Sequence, residues 1–338
     1  MFTTDLHKDL LTLASRYDRD QVAVVCLQHS GVSCQLSEFP TLLLETSEEL
    51  KSLATVERIW DFLLEKGITR RGLLICIGGG VLTDLGGFAA ATYKRGIDYI
   101  NVPTTLLAMV DASSGGKTGF NYHGLKNAIG AFHAPVATLI CPSLLSTLPA
   151  REMLSGFGEM LKTALLSDET EWNRLLQYDL ERMDIAELTP LVEACVRVKE
   201  EIVAADQKET GLRKVLNLGH TFGHALEEIS IQHSDASLQH GYAVVYGLIA
   251  ELYLSITKLG CPREPLQQMT QLMLHYYGRP QCKCSDREQL IALMRQDKKN
   301  ERTAEINCTL LKRIGEPIIN QVITDDEAHE ALDYLFSL

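Results

Sequence analysis

Five short apolar runs punctuate the first part of the chain: QVAVVCL (21–27), TLLLE (41–45), LLICIGGG (73–80), DYINVP (98–103) and ATLICP (137–142). Runs of this length, rich in aliphatic residues and bounded by polar or glycine-containing stretches, predict buried strands. Between the second and third lies an amphipathic segment from Glu48 to Lys66, long enough for a helix. Strands alternating with a long helix predict a mostly parallel sheet covered by helices. Past Cys141-Pro142 the pattern changes to helical periodicity, over Arg151 to Leu166, Thr189 to Ala205, His220 to Ile229 and Ala243 to Leu259. The expected fold class is α/β, with an N-terminal parallel-sheet domain of nucleotide-binding type over residues 1–149 and a C-terminal all-helical domain over residues 150–338. RPQCKCSDR at 279–287 reads as a connecting loop, and neither internal repeats nor low-complexity segments stand out.

Composition narrows the function classes. The 338 residues, 46% hydrophobic and 22% charged, describe an ordinary soluble globule with room for about two domains. A formal net charge of -12 argues against general nucleic-acid binding, so an anionic small molecule needs a local basic pocket. No apolar run is expected to reach membrane-spanning length, and the opening MFTTDLHKDL lacks a basic region followed by a hydrophobic one. The nine cysteines are odd in number and scattered, with Cys26 and Cys76 inside strand-like runs, which fits reduced core thiols and a cytoplasmic setting.

Two glycine-rich stretches carry candidate chemistry. Gly78, Gly79 and Gly80 directly follow a predicted buried strand, where bare backbone can approach a ligand and a following helix end can offer free amides to a phosphate. The spacing is neither a dinucleotide GxGxxG fingerprint nor a Walker motif, and a tight structural turn would look the same. Asp84 reads either as a first-turn helix charge or as an acceptor on a bound nucleotide. Further on, VDASSGGKTGFNYHGLKNAIGAF combines glycines with Asp111, Lys117, Asn121, Lys126 and Asn127 in a segment of little helix or strand character. It suits a solvated loop or an enclosed phosphate or sugar site. Thr104 and Thr105 end a strand at the carboxyl edge where open α/β sheets bind ligands.

The third stretch, Gly219 to Gly247, sets His220 and His224 four residues apart on one helical face and adds His240 after a polar interval. Three imidazoles could hold a metal or move protons, and Glu159 could complete a site of two nitrogens and one oxygen. Lys199 and Arg213, which precede the histidines, and Lys162, on one helical face with Glu159, suit a phosphate or carboxylate. Spacing alone therefore points to a divalent metal near an anionic ligand.

Together, GGGVLTDLGGFAAATYKRGI from Gly78, PTTLLAMVDASSGGKTG, KNAIGAF, GEMLK and LNLGHTFGHALE resemble the 3-dehydroquinate synthase family of sugar-phosphate cyclases, over roughly residues 70–315. The resemblance implies Glu159, His220 and His240 as ligands of a zinc or cobalt ion, leaving His224 on the substrate side. It implies NAD contacts from Gly78, Gly79, Gly80, Asp84, Thr104, Thr105, Asp111, Lys117 and Lys126. Lys162, Lys199, Arg213, Asn217 and His224 become catalytic candidates, and Lys117, Asn127, Lys298 and Lys299 substrate contacts. Arg95 becomes a phosphate contact reaching the partner's site in a homodimer. The implied reaction converts 3-deoxy-D-arabino-heptulosonate 7-phosphate to 3-dehydroquinate and phosphate, with NAD oxidising and then re-reducing C5. The chain departs from the family's HGEAV, reading His240-Gly241-Tyr242-Ala243-Val244, and carries Met109 where Gln is usual. Tyr242 supplies no carboxylate to support the metal. A metal-dependent polyol dehydrogenase and an inactive sugar-phosphate binder are the rival classes.

Overall fold

The computed structural model describes the chain apart from residues 29–37, 46–49, 124, 234–237, 282–283 and 297–304. It divides into two compact units, Met1–Met153 with Asp184–Glu200, and Leu154–Met183 with Glu201–Leu338. The first unit thus takes residues 184–200 from within the span expected for the second.

The first unit contains α1 (Leu6–Ala14), β1 (Val22–Leu27), β2 (Thr41–Leu44), α2 (Leu53–Glu65), β3 (Leu73–Gly78), α3 (Gly80–Thr92), β4 (Asp98–Pro103), β5 (Lys117–Tyr122), β6 (Leu125–Phe132) and β7 (Ala137–Thr138). Five strands form a parallel sheet in the order β2-β1-β3-β4-β7. Side chains alternate across a strand, so each continuous apolar run feeds two cores. Val22, Val24 and Cys26 of β1, with Leu73, Ile75 and Ile77 of β3, pack with Leu6, Leu10 and Leu13 of α1. Ala23, Val25, Leu74 and Cys76 pack on the other face with Val56, Ile59 and Leu63 of α2 and Leu82, Leu85 and Ala89 of α3. Each such aliphatic side chain contributes about 1.5–3 kcal/mol by leaving water.

Two strand expectations change here. ATLICP forms a strand only at Ala137–Thr138, with Ile140 making an isolated bridge to Phe2. The polar glycine-rich segment is an antiparallel hairpin, β5 with β6. Its signal is hidden because close backbone pairing, not alternating burial, defines it: Gly119 faces Gly130, and a Cβ on Gly130 would strike the Thr118 carbonyl.

From residue 150 onward come α4 (Ala150–Ser167), α5 (Glu169–Leu176), α6 (Ile185–Ala205), α7 (His220–His233), α8 (His240–Leu259), α9 (Glu264–Leu272), α10 (Arg287–Gln296), β8 (Ile306–Arg313), β9 (Glu316–Ile323) and α11 (Asp325–Ser337). The second unit is mostly but not entirely helical. The antiparallel pair β8 (INCTLLKR) and β9 (EPIINQVI) corrects the all-helical expectation; neither segment alternates strictly between apolar and polar residues, so no clear strand period marks them after the long helical patterns. α8 is the central element, with thirteen buried residues and packing against α7, α11 and β8. Among the described residues it is also the one helix long and apolar enough to cross a bilayer, which corrects the expectation that no run reaches that length; 67% of that apolar window is buried inside the protein.

Glycines let α4, α7 and α8 approach backbone to backbone. A Cβ on Gly158 of α4 would meet the backbone of Gly241, and one on Gly223 of α7 would lie 2.9 Å from the Ala243 carbonyl. Gly247 of α8 faces the Gly219 carbonyl and the Gly223 amide. Gly247→Ala should therefore lower the unfolding free energy by about 3 kcal/mol, the upper end of ordinary overpacking costs, because fixed backbone cannot yield as a side chain can. Urea unfolding of the two proteins checks this, and an unchanged midpoint would contradict the backbone contact.

Candidate functional site

Three helices of the second unit each deliver one metal-type ligand. Glu159 lies within α4, His220 is the first residue of α7 and His240 the first of α8. One ligand atom from each lies within 4.8 Å of the others. His220 Nδ1 pairs with the Leu218 carbonyl at 3.0 Å, and His240 Nδ1 with Glu227 Oε2 at 3.2 Å. Both acceptors require the proton on Nδ1, a tautomer assigned from these partners, which makes Nε2 the atom each ring would offer a metal. Those Nε2 atoms lie 3.5 and 3.1 Å from Glu159 Oε1. Two imidazoles and one carboxylate fit a divalent ion such as zinc, with coordination positions left for a ligand.

The electrostatics of this cluster favour positive charge. Burial alone would raise the Glu159 carboxyl; Lys162, which forms an ion pair with it, and the two imidazoles hold it well below the usual carboxylate range. Burial likewise works against a charged His240, yet Glu227 and Glu159 push its imidazole up to about 10. The carboxylates thus favour a positive charge at this position, which a divalent ion supplies as well as a proton does. His224 stands beside the triad, its ring 5.2 Å from that of His220 and 6.0 Å from that of His240. The attractive four-residue spacing therefore sets two rings side by side, while the ligand-type cluster is completed from other helices.

Arg213 and Asn217 sit on the short helical turn Leu212–Asn217 that leads into α7. The Arg213 guanidinium is buried and donates from Nη1 to the Gln207 carbonyl at 2.8 Å, while Asn217 donates to Glu209 Oε1 at 3.1 Å. Asp206 organises this loop. Its Oδ2 accepts from the amides of Gly211 (2.7 Å) and Arg213 (3.1 Å), and its Oδ1 from that of Thr210 (3.0 Å). These bonds, led by the one from Gly211, lower the Asp206 carboxyl to about 2.

The first unit holds the second cluster. Gly78 closes β3, α3 begins at Gly80, and the Thr104 amide donates to the Gly78 carbonyl at 3.0 Å. Thr105 stands where a Cβ on Gly79 would point, at 3.1 Å. Asp84 pairs with Lys51 Nζ at 2.6 Å; burial raises its carboxyl, and Lys51 works against that rise. Lys199 reaches both the carbonyl and the carboxylate of Asp111, each at 2.5 Å. Lys117 opens β5 and is exposed; Lys126 lies on β6, half-buried, beside Asn127, whose φ of 49° lets its amide meet Asn121 Oδ1 at 2.9 Å. Arg95 is exposed on a turn in which Lys94 and Arg95 both have positive φ. Lys298 and Lys299 lie outside the described residues.

Sequence reasoning missed Lys51, Asp206 and Glu227. Glu227 had a legible signal, seven residues after His220 and three after His224, hence near both on one helix. Asp206 precedes Gly211 and Arg213 by five and seven residues, a loop-anchoring arrangement without a fixed motif, and Lys51 had no signal of its own. The Tyr242 ring packs at 4.8 Å against the buried Tyr277, so the carboxylate beside His240 comes from Glu227 and not from position 242.

The family models described as 3-dehydroquinate synthase N-terminal and 3-dehydroquinate synthase C-terminal match residues 41–155 and 156–300. A 3-dehydroquinate synthase of Parabacteroides distasonis is 44% identical over 98% of this chain and 95% of its own length. Among solved structures, 2-epi-5-epi-valiolone synthase of Streptomyces hygroscopicus subsp. jinggangensis, with NAD+ and Zn2+ bound, superposes with a TM-score of 0.86 at 27% identity, covering 100% of this chain and 96% of that one. A 2-deoxy-scyllo-inosose synthase complexed with carbaglucose-6-phosphate, NAD+ and Co2+ shares the fold, with a TM-score of 0.83 at 22% identity over 98% and 95% of the two chains.

Asp206→Ala removes both acceptor oxygens and leaves the amides of Thr210, Gly211 and Arg213 without their carboxylate. Hydrogen exchange at Gly211 and Arg213 should accelerate about tenfold or more, the scale expected when charge-assisted bonds are lost. In the wild type the carboxyl is depressed in the folded state, so its restraint on the loop is complete above the usual carboxylate range and is lost as pH falls towards about 2. Exchange rates at these amides that do not change in the variant would remove Asp206 as the anchor.

Proposed function

The chain belongs to the 3-dehydroquinate synthase family, and we propose that it converts 3-deoxy-D-arabino-heptulosonate 7-phosphate to 3-dehydroquinate and phosphate, using NAD and a divalent zinc or cobalt ion. The observation that carries this reading is the convergence of Glu159, His220 and His240 in a chain matched by both halves of the family. When bound, NAD supplies a reversible hydride acceptor and the ion a Lewis acid for the reacting oxygen. The two products together contain every atom of the substrate. Any oxidation during the reaction must therefore be reversed before product forms, and NAD is not consumed.

The chain's own residues supply binding and proton handling. The Gly78–Gly80 turn at the start of α3 suits a pyrophosphate, since its amides lie at the helix start and the three glycines carry no side chains of their own. Asp84, Thr104, Thr105, Asp111, Lys117 and Lys126 are assigned to the NAD side. Arg213, buried and held by the Gln207 carbonyl, suits the substrate carboxylate, which a planar guanidinium can grip through two parallel bonds. Lys162 and Lys199 are each kept in place by a carboxylate, which fixes their ammonium groups before a phosphate arrives. Lys117, Asn127, Lys298 and Lys299 are read as further substrate contacts, and Asn217 as a polar neighbour of Arg213. His224, beside the ligand rings yet outside the triad, is placed to exchange a proton with a substrate oxygen.

We assign Arg95 to the phosphate bound by the other subunit of a homodimer. Its exposed turn, and the exposed Leu125, Ile129 and Phe132 of β6, support a second copy of this chain as partner.

The test is one reaction containing purified protein, substrate, catalytic NAD and zinc, followed for phosphate, cofactor absorbance and organic products. Equimolar phosphate and 3-dehydroquinate without accumulated NADH is the expected result. A different carbocycle would overturn the substrate assignment and keep the cyclase class; sustained NADH formation from an unphosphorylated polyol would replace both with a dehydrogenase.

A further inference from the structure

The metal-type cluster requires His220 to stand at a fixed place at the very start of α7. The first amides of a helix have no partner within it, and when buried they must be met from elsewhere. A Ser, Thr, Asp or Asn just before the helix ordinarily does this. Here that position is Gly219, with φ of +79° and no side chain to offer. The acceptor comes instead from α8. Glu251, fully buried, receives the Gly219 amide on Oε2 at 2.6 Å and the Thr221 amide on Oε1 at 3.2 Å.

These two amides flank His220 in sequence, so one carboxylate holds the backbone on both sides of the ligand. The charge also suits its location, since a helix start carries partial positive charge that an anion stabilises. The α8 backbone that carries Glu251 is tied to β8: the Glu251 backbone carbonyl accepts from Ser255 Oγ at 2.6 Å, and that same hydroxyl accepts the Leu311 amide at 2.9 Å. Thr221 is tied independently, its hydroxyl donating to the Asn307 carbonyl at 2.9 Å. Glu251 lies on the helix that begins with His240, eleven residues further on. The same helix thus presents one ligand directly and fixes the backbone of another.

We propose that Glu251 is a positioning residue for the metal centre, setting His220 relative to His240 by capping α7 from α8. The two amides need two acceptor oxygens. Glutamine offers only one, and its NH2 group would face an N–H. Aspartate keeps both oxygens but falls one methylene short. The proposal rests on the metal reading given above, and the experiment separates the two.

Metal-free wild type, Glu251→Gln and Glu251→Asp are compared by circular dichroism, then titrated with Co2+ against a competing chelator while the visible absorption of the bound ion is recorded. NAD affinity is measured in parallel. Both variants should fold and bind NAD as the wild type does. Glu251→Gln should bind Co2+ about tenfold or more weakly, the lower end of what disturbed ligand support costs, with an altered absorption envelope, and Glu251→Asp should fall between. A general loss of structure would lower NAD affinity as well and would not single out the cobalt spectrum. Folded variants with wild-type Co2+ affinity and spectrum would overturn the proposal. Failure of both variants to fold would also overturn it, by making the carboxylate a requirement of the whole fold. Absence of Co2+ binding by the wild type would instead remove the metal reading itself.

Discussion

The metal-type cluster depends on three helices coming closer than side chains normally allow. Each of the three ligand positions has a glycine as an immediate neighbour: Gly158 before Glu159, Gly219 before His220 and Gly241 after His240. At each of these glycines a Cβ would run into an adjoining helix, at its backbone around Gly158 and Gly241 and also at Leu248 around Gly219. The ligands therefore converge because the backbones beside them touch. Side-chain reach accounts for only the last part of the distance, which leaves little room for the rotamer freedom that would loosen a metal site.

Such close approach concentrates charge in a poorly hydrated place. Glu159 is almost wholly buried, and an uncompensated carboxylate there would be very costly. Lys162 and the imidazoles offset that cost, while Glu227 steadies His240 from behind. The same arrangement recurs in the first unit, where Lys51 meets Asp84 and Lys199 meets Asp111. Both clusters keep their cations fixed by partners of opposite sign, so orientation is largely settled before any ligand binds.

Much of this was legible in the sequence, for identifiable reasons. The buried strands were readable because a parallel sheet covered on both faces needs continuous apolar runs, as in VAVVCL and LLICIG. The glycine turn after β3 and the histidine stretch were visible as local patterns. The hairpins were not: β5 and β6 are held by backbone pairing across Gly119 and Gly130, and β8 and β9 lie at the end of a long helical stretch. Spacing could show that His220 and His224 share a helix face, but not that α8 would bring His240 against Glu159. That contact is tertiary and came from the resemblance. Lys51 and Asp206 act through partners 33 residues away and across a loop, and neither relation leaves a periodic trace.

Six of the cysteines open another use of the fold. Cys26, Cys76, Cys141 and Cys195 in the first unit, and Cys261 and Cys308 in the second, are all buried thiols outside any disulfide. Thiol reagents attack the thiolate, and burial pushes the Cys76 and Cys261 thiols upward, away from that form. While folded, these six positions are shielded from solvent, and a reagent reaches each only when its surroundings open. Alkylation read by peptide mass would then time the opening of each unit separately, an internal clock that needs no added label.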